Sequence, residues 1–293
     1  MNKLIGLVFI ILVLSGCSGN NRKEQADKTY SIVLLDGPSK IAFEALINGE
    51  VKAPVHLTHQ IYDNPMKVQS LLLQNKPDIA VVPTTMAANL YNKGIDYVPL
   101  ACVVWGNLYL VSGREDVQSA SQVRDKEIYI FGKGLQPDLL AQIRFEPYNV
   151  SFNYKYDSHL ALTNAVAAGL VDLAVLPEPF TSRALQANPK LKIVDEVNFL
   201  NNGKRIPQSL VMIKRSLLPQ KKEIGLYIKE VLEASVFNNT APAMTVKRCN
   251  IQYQSIEDCA DQVHYYLSSI FAYNPKLVGS KFPDEAFYGE SPK

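Results

Sequence analysis

At 293 residues, 47% hydrophobic, 20% charged and 9% aromatic, the chain has the composition of a globular protein with room for one large domain or two modest ones, each able to bury a core. These proportions exclude a disordered, collagenous or coiled-coil chain. Thirty Lys and Arg against 28 Asp and Glu leave a net charge of +2 with no basic run or face, which excludes nucleic acid as an expected partner.

The first predicted element is an export signal. Lys3 precedes the apolar run Leu4 to Leu14, which is too short to span a bilayer comfortably. Leu14-Ser15-Gly16-Cys17 resembles the bacterial lipobox, in which the cysteine is acylated and becomes the first residue after cleavage. Residues 1–16 are therefore read as a lipoprotein signal peptide, Cys17 as the lipidation site and residues 17–29 as the tether. No second long apolar segment follows, so the mature protein is expected to be soluble and anchored by lipid.

Apolar β-rich runs then alternate with helical patterns. Strands are predicted over Tyr30–Leu35, Val55–Ile61, Asp78–Val82 and Tyr97–Val104, with helices after Ser39, over Pro65–Gln74 and over Thr84–Asn92. After Leu108–Val111 the pattern restarts. Strands Glu127–Phe131, Ser151–Lys155 and Asp172–Leu176 lead to helices from Pro137, over Ser158–Ala168 and over Pro179–Ala187. Lys192–Val194 and Gln208–Ile213 read as further strands. The tail carries two amphipathic stripes, Ile224/Ile228/Val231/Leu232 and Ile256/Ala260/Val263/Leu267/Ile270, with Ser255 and Asp258 capping the second. Such alternation predicts α/β architecture, parallel-rich sheets with helices on both faces.

The run Asp78-Ile79-Ala80-Val81-Val82-Pro83 is echoed 94 residues later by Asp172-Leu173-Ala174-Val175-Leu176-Pro177. This period is too long for a solenoid and points to two similar Rossmann-like lobes joined by two crossings. The division expected is residues 30–110 plus 206–293 for the first lobe and 111–205 for the second.

Among the cysteines, Cys102 lies in an apolar run and reads as a buried thiol, whereas Cys249 and Cys259 flank a short polar loop and are expected to form a disulfide in an oxidising compartment. No metal site is expected: Cys-x-x-Cys and His-Glu-x-x-His are both missing, and His56 and His59, three apart on a strand, face opposite ways.

Two α/β lobes on an exported, tethered chain suit hinge closure around a small molecule. At this level the sequence resembles the solute-binding lipoproteins of ABC importers, in the branch that binds nitrate, sulfonates, taurine and thiamine-pyrimidine precursors. The residues that carry the resemblance are the lipobox, Leu35-Asp36-Gly37-Pro38, the segment Lys76 to Thr85, and Ala168-Gly169-Leu170-Val171-Asp172-Leu173-Ala174-Val175-Leu176-Pro177-Glu178-Pro179-Phe180. The last of these is the most specific, through its Gly-x-x-Asp-x-Ala-x-x-x-Glu-Pro pattern. The resemblance implies a type II periplasmic binding protein without cofactor or catalysis. Its role would be to capture a small polar organic or anionic solute between the lobes and, as a monomer held at a bacterial membrane, to deliver it to a permease and ATPase. Two other readings stay open: a chorismate-dehydratase-like enzyme, which the export signal opposes, and a tethered sensing module without transport.

Candidate ligand contacts lie where strands end and helices begin, because backbone N–H groups are unpaired there. Gly37, Pro38 and Ser39 allow close backbone approach. Thr84 and Thr85 supply hydroxyls, one of them for capping. Gly132-Lys133-Gly134 can wrap an anionic group through Lys133 and Gly134 but lacks an ATP-loop pattern. Glu178 either accepts from a ligand N–H or bonds nearby N–H groups of its own chain. Trp105, the single Trp, can stack on a planar ligand, beside Asn107 at the first crossing. Phe131, Phe180, Tyr62 and Tyr109 are weaker aromatic candidates. Helix N-termini and Lys133 favour an anion in the cleft, whereas Glu178, Asp36 and Asp157 oppose one.

Overall fold

Among the described residues eleven strands divide between two sheets, each built on the short β-branched runs visible in the sequence. The computed structural model describes residues 29–51, 56–200 and 203–289, so the signal segment, Cys17 and the tether through residue 28 lie outside the described residues. The strands are β1 (Thr29–Leu35), β2 (His56–Tyr62), β3 (Ile79–Pro83), β4 (Tyr97–Val104), β5 (Leu108–Ser112), β6 (Glu127–Ile130), β7 (Ser151–Asn153), β8 (Leu173–Pro177), β9 (Lys192–Glu196), β10 (Ser209–Lys214) and β11 (Ile251–Ser255). The first sheet runs β11–β4–β10–β3–β1–β2 and the second β7–β6–β8–β5–β9.

With the edge strand β11 set aside, the two orders have the same plan. β1 pairs in parallel with β2 and β3, and β6 with β7 and β8. One strand in each sheet runs antiparallel beside the repeated apolar strand, β10 beside β3 and β5 beside β8. The 94-residue echo is thus the sequence trace of two lobes with one topology, and both sheets are parallel-rich but mixed. Leu108–Leu110, assigned to the first lobe from the sequence, belong to the second sheet, because the chain crosses already at Trp105–Asn107.

The helices are α1 (Pro38–Ala42), α2 (Glu44–Ile47), α3 (Pro65–Leu73), α4 (Thr84–Asn92), α5 (Gln136–Phe145), α6 (His159–Ala167), α7 (Phe180–Ala187), α8 (Lys221–Asn238), α9 (Ala243–Arg248) and α10 (Ile256–Tyr273). Their starts follow capping chemistry. Asn64 accepts from the Met66 amide with Pro65 at the first turn of α3, Ser158 accepts from Ala161 at α6, and Ser255 accepts from Asp258 at α10. Each such cap is worth about 1 kcal/mol.

Strands β3 and β8 are apolar on both faces because helices cover both, and each buried Val, Ile or Leu contributes roughly 1.5 to 3 kcal/mol. One apolar cluster runs through both lobes. It includes Val82 and Leu90 of the first, Leu139, Leu140 and Phe145 on α5 of the second, and Val263, Leu267 and Ile270 on α10. Packing, as well as the crossings, therefore sets the angle between the lobes. The crossings also touch each other. Gly106 has φ 84°, and a Cβ there would lie 2.7 Å from Cβ of Asn198, whose Oδ1 accepts from the Leu108 amide at 2.7 Å. Only glycine meets both the left-handed φ and the close approach.

The expected disulfide is corrected. Cys249 and Cys259 are separate buried free thiols, as is Cys102. The polar segment between them is the extended strand β11, which carries the chain roughly 16 Å and places the two cysteines at its opposite ends. Cys249 ends α9, and Cys259 sits in the first turn and a half of α10 in the same apolar cluster as Cys102. Burial pushes the Cys259 thiol up to about 12 and raises that of Cys249 as well, so both are inert small hydrophobes. Among the described residues no helix is long and apolar enough to cross a membrane, and no three His, Cys, Asp or Glu gather as a metal site.

Candidate functional site

Between the lobes lies a cavity of about 800 Å³. It opens off the carboxyl ends of β1, β6 and β8, the place where helices following parallel strands present free N–H groups. Smaller cavities of about 330 and 440 Å³ involve the first lobe alone.

The wall on the first lobe comes from the β1–α1 turn, the approach to α3 and the segment after α8. It presents Asp36, Gly37, Lys40, Glu44 and Asp63, with the apolar surfaces of Ile41 and Ile47. Gly37 has φ 115°, open to glycine alone, and its amide donates to Asp36 Oδ1 at 3.0 Å. Lys40 Nζ pairs with the same Asp36 Oδ1 at 3.3 Å. The Glu44 carboxylate accepts from the amide of Thr240 at 3.1 Å and from its hydroxyl.

The wall on the second lobe is aromatic. His159 meets Phe131 edge-on at 4.9 Å between ring centroids and lies 5.4 Å from Phe180 at a 31° tilt. The guanidinium of Arg183 sits over the Phe180 ring at 5.4 Å. Burial among these rings holds the His159 imidazole down to about 4, so it is neutral at physiological pH. Its Nδ1 is enclosed without a hydrogen-bond partner. The Nε2 edge is therefore the one through which His159 can bond a ligand.

Of the residues singled out from the sequence, Asp36 and Gly37 line the cavity, as do Phe131 and Phe180. The neighbours of Gly37 do less: Ser39 is buried within α1, and Pro38 occupies its first turn. Thr84 is fully buried and its hydroxyl donates to the Pro207 carbonyl, while Thr85 makes a long 3.5 Å contact with Gln136 Oε1. Trp105 is core, its Nε1 donating to the Gln252 carbonyl at 2.9 Å. Asn107 is buried in the crossing, and its carbonyl accepts from the Glu178 amide at 2.9 Å.

The glycine turn after β6 is already occupied. The Gly134 amide donates at 2.7 Å to Asp138 Oδ2, the Tyr154 hydroxyl donates to Oδ1 at 2.9 Å, and Lys133 Nζ lies over the Tyr154 ring at 5.2 Å. The chain thus supplies its own anion to the nest. Glu178, with its side chain fully buried, accepts from the Ser182 amide at 3.1 Å, the Ser182 hydroxyl at 2.9 Å and Arg248 of α9 at 3.4 Å. Burial raises its carboxyl pKa, and the bonds to Ser182 and Arg248 oppose the rise. The Thr245 hydroxyl donates to Ser182 Oγ at 2.8 Å and completes this link between the lobes.

Sequence reasoning missed Lys40, Glu44, Asp63, His159 and Arg183. The available signal was position: Lys40, Asp63, His159 and Arg183 lie within six residues of a strand's carboxyl end, and Glu44 opens α2, the second helix after β1.

Sheets of this shared order, flanked by helices and enclosing an inter-lobe cavity, define a type II periplasmic binding protein fold. Among solved structures, an ABC transporter protein from Parabacteroides distasonis is 29% identical, with a TM-score of 0.81, over 91% of this chain and 100% of that one. The periplasmic aliphatic sulphonate binding protein SsuA from Escherichia coli has the same fold at 12% identity and a TM-score of 0.67, over 91% and 93% of the two chains. The alkanesulfonate-binding protein SsuA from Xanthomonas axonopodis, bound to MOPS, follows at 14% and 0.59, over 85% and 94%. The structural neighbours thus include an ABC transporter protein and two sulfonate-binding proteins, in keeping with the family the sequence resembles. No protein-family model matches the chain, and comparison with curated proteins finds no match.

Proposed function

We propose that this protein is the solute-binding component of an ABC importer, exported and anchored through an acylated Cys17, which captures a small solute between its lobes and hands it to a permease and ATPase. The observation that carries the proposal is the cavity of about 800 Å³ walled by both lobes at strand carboxyl ends. Its size suits an organic solute. Closing on such a solute buries it in a water-poor space where each hydrogen bond discriminates strongly. Two-lobed topology and the 29% identity over the whole of an ABC transporter protein support the same reading.

The test is a thermal-shift screen of the full chain in detergent against amino acids, nucleobases, sulfonates, phosphonates and nitrate. A ligand bound only by the folded state raises the melting temperature. At least one class is expected to do so and to compact the protein in small-angle scattering; a protein indifferent to the whole panel loses the solute-binding role. Metabolic labelling with palmitate is expected to mark the wild type and to be lost in Cys17→Ser, and labelling that survives the substitution removes the anchor.

A further inference from the structure

The two walls of the cleft differ in chemistry, and the difference narrows the solute. On the first lobe three carboxylates, Asp36, Glu44 and Asp63, face one cation, Lys40, which is paired with Asp36. On the second lobe the wall is the aromatic series Phe131, His159 and Phe180, and its cation, Arg183, lies over the Phe180 face. The groups that would cradle an oxyanion bind elsewhere: Thr84 bonds Pro207, and the nest at Gly134 holds Asp138. We infer that the cleft selects a planar heteroaromatic solute bearing an amino or cationic group, its ring against the Phe131–His159–Phe180 wall, its ring nitrogen or carbonyl bonded by His159 Nε2, and its amino end toward Asp63 and Glu44. The inference rests on the solute-binding reading and specifies the same site.

Three physical arguments support it. A neutral imidazole donates one hydrogen bond and adds no positive charge that would favour an oxyanion over an uncharged acceptor, and Nδ1, enclosed and unpartnered, leaves Nε2 to carry the proton. Aromatic side chains stack planar ligands because π-faces attract one another in offset and edge-on arrangements. A wall with more carboxylates than cations repels a sulfonate and attracts an amine, most strongly once closure expels water.

The test is calorimetric titration of the full chain in detergent, freed of ligand by unfolding and refolding. Adenine, cytosine and 4-aminopyrimidine are the aromatic probes; ethanesulfonate, taurine and nitrate are the oxyanion probes. At least one aromatic probe is expected to bind at least tenfold more tightly than any of the oxyanion probes. His159→Ala and Phe180→Ala should each weaken it tenfold or more, and Asp63→Asn, an exposed change that spares the fold, about threefold. Tighter binding of an oxyanion probe overturns the inference and leaves the solute-binding reading standing. A bound heterocycle indifferent to all three substitutions sits elsewhere and also overturns it. Silence from all six probes overturns it too, and the wider panel described above then decides the solute-binding reading separately.

Discussion

The two copies of the repeated strand, β3 and β8, end in the same way and are put to different use. Each finishes on a proline, and each is followed by a buried polar residue that turns away from the cleft. Thr84 bonds the Pro207 carbonyl in the second crossing, and Glu178 bonds Ser182 and Arg248. At β3 nothing further reaches the cavity. At β8 the chain goes on through Pro179 to Phe180 and Arg183, which form part of its wall. The strand ends here thus have two tasks, joining the lobes and lining the cavity, and the first residue after the strand takes the former in both lobes. A sequence motif shared by binders of different solutes is expected to have this property: it preserves the joint, while the residues beyond it vary with the ligand.

The strongest test of that division is Glu178→Ala. Removing a carboxylate with no solvent exposure takes the ion-pair partner from Arg248, which keeps only its 3.1 Å bond to Ser182 Oγ, and takes the acceptor from the Ser182 amide inside the inter-lobe joint. Breaking a buried pair in this way costs about 3 kcal/mol. The ligand-free protein is expected to unfold at lower urea by that amount, with affinity for its solute changed less than threefold. Glu178→Gln, which keeps a hydrogen bond to Ser182, should lose about half as much. Unaltered urea stability together with a tenfold loss of affinity would move Glu178 into the ligand site.

Much of the fold was legible because its signals are local. The apolar strands and the cap at Ser255 announce themselves within a few residues, and the boundaries of Thr84–Asn92 and Tyr97–Val104 agree with those read from pattern alone. What was missed depends on partners distant in sequence. Ile251–Ser255 alternates Ile, Gln, Tyr, Gln, Ser, a two-residue period, but its polar content reads as loop until it is seen pairing with β4. That strand is also why the cysteines on either side of it are not joined. His159 follows an N-cap serine and looks like an exposed first-turn residue. Only Phe131 and Phe180, 28 and 21 residues away, make it a half-buried part of the cleft wall. Glu178 was readable as polar and strand-terminal, yet the choice between ligand and joint turns on Arg248, 70 residues on.

The aromatic wall offers a second, pH-dependent contrast with the joint. An imidazole whose folded pKa is about 4 takes up its proton less readily than in the unfolded chain, where the value is near 6.5. The unfolded state therefore binds more protons between these values. The contribution of His159 to stability is fully present above about pH 6.5, falls as pH drops toward 4 and levels off below it. Partial exposure discounts the effect to roughly 2 kcal/mol. Comparing urea unfolding of wild type and His159→Phe from pH 7 to pH 4 should show that difference disappearing from the variant. Parallel acid slopes in the two proteins would mean that the ring is solvated.

The smallest expected effect is also the sharpest for the comparison between β3 and β8. Thr84→Val preserves side-chain shape in a fully buried site and removes only the hydroxyl that reaches the Pro207 carbonyl. The neighbouring bond from the Thr84 amide to the Gln208 carbonyl, at 3.1 Å, remains and keeps the second crossing against the end of β3. One buried carbonyl then lacks its partner, which costs about 1 kcal/mol of stability. Solute affinity should hold within twofold, because Thr84 contributes nothing to the cavity wall and the apolar packing of α5 against α10 still sets the lobe angle. If Thr84→Val instead weakens solute binding tenfold while urea stability is unmoved, the hydroxyl must leave Pro207 when the lobes close and turn to the solute. The ends of β3 and β8 would then differ in kind, one facing the ligand and the other holding the joint, and the shared motif would no longer mark a shared task.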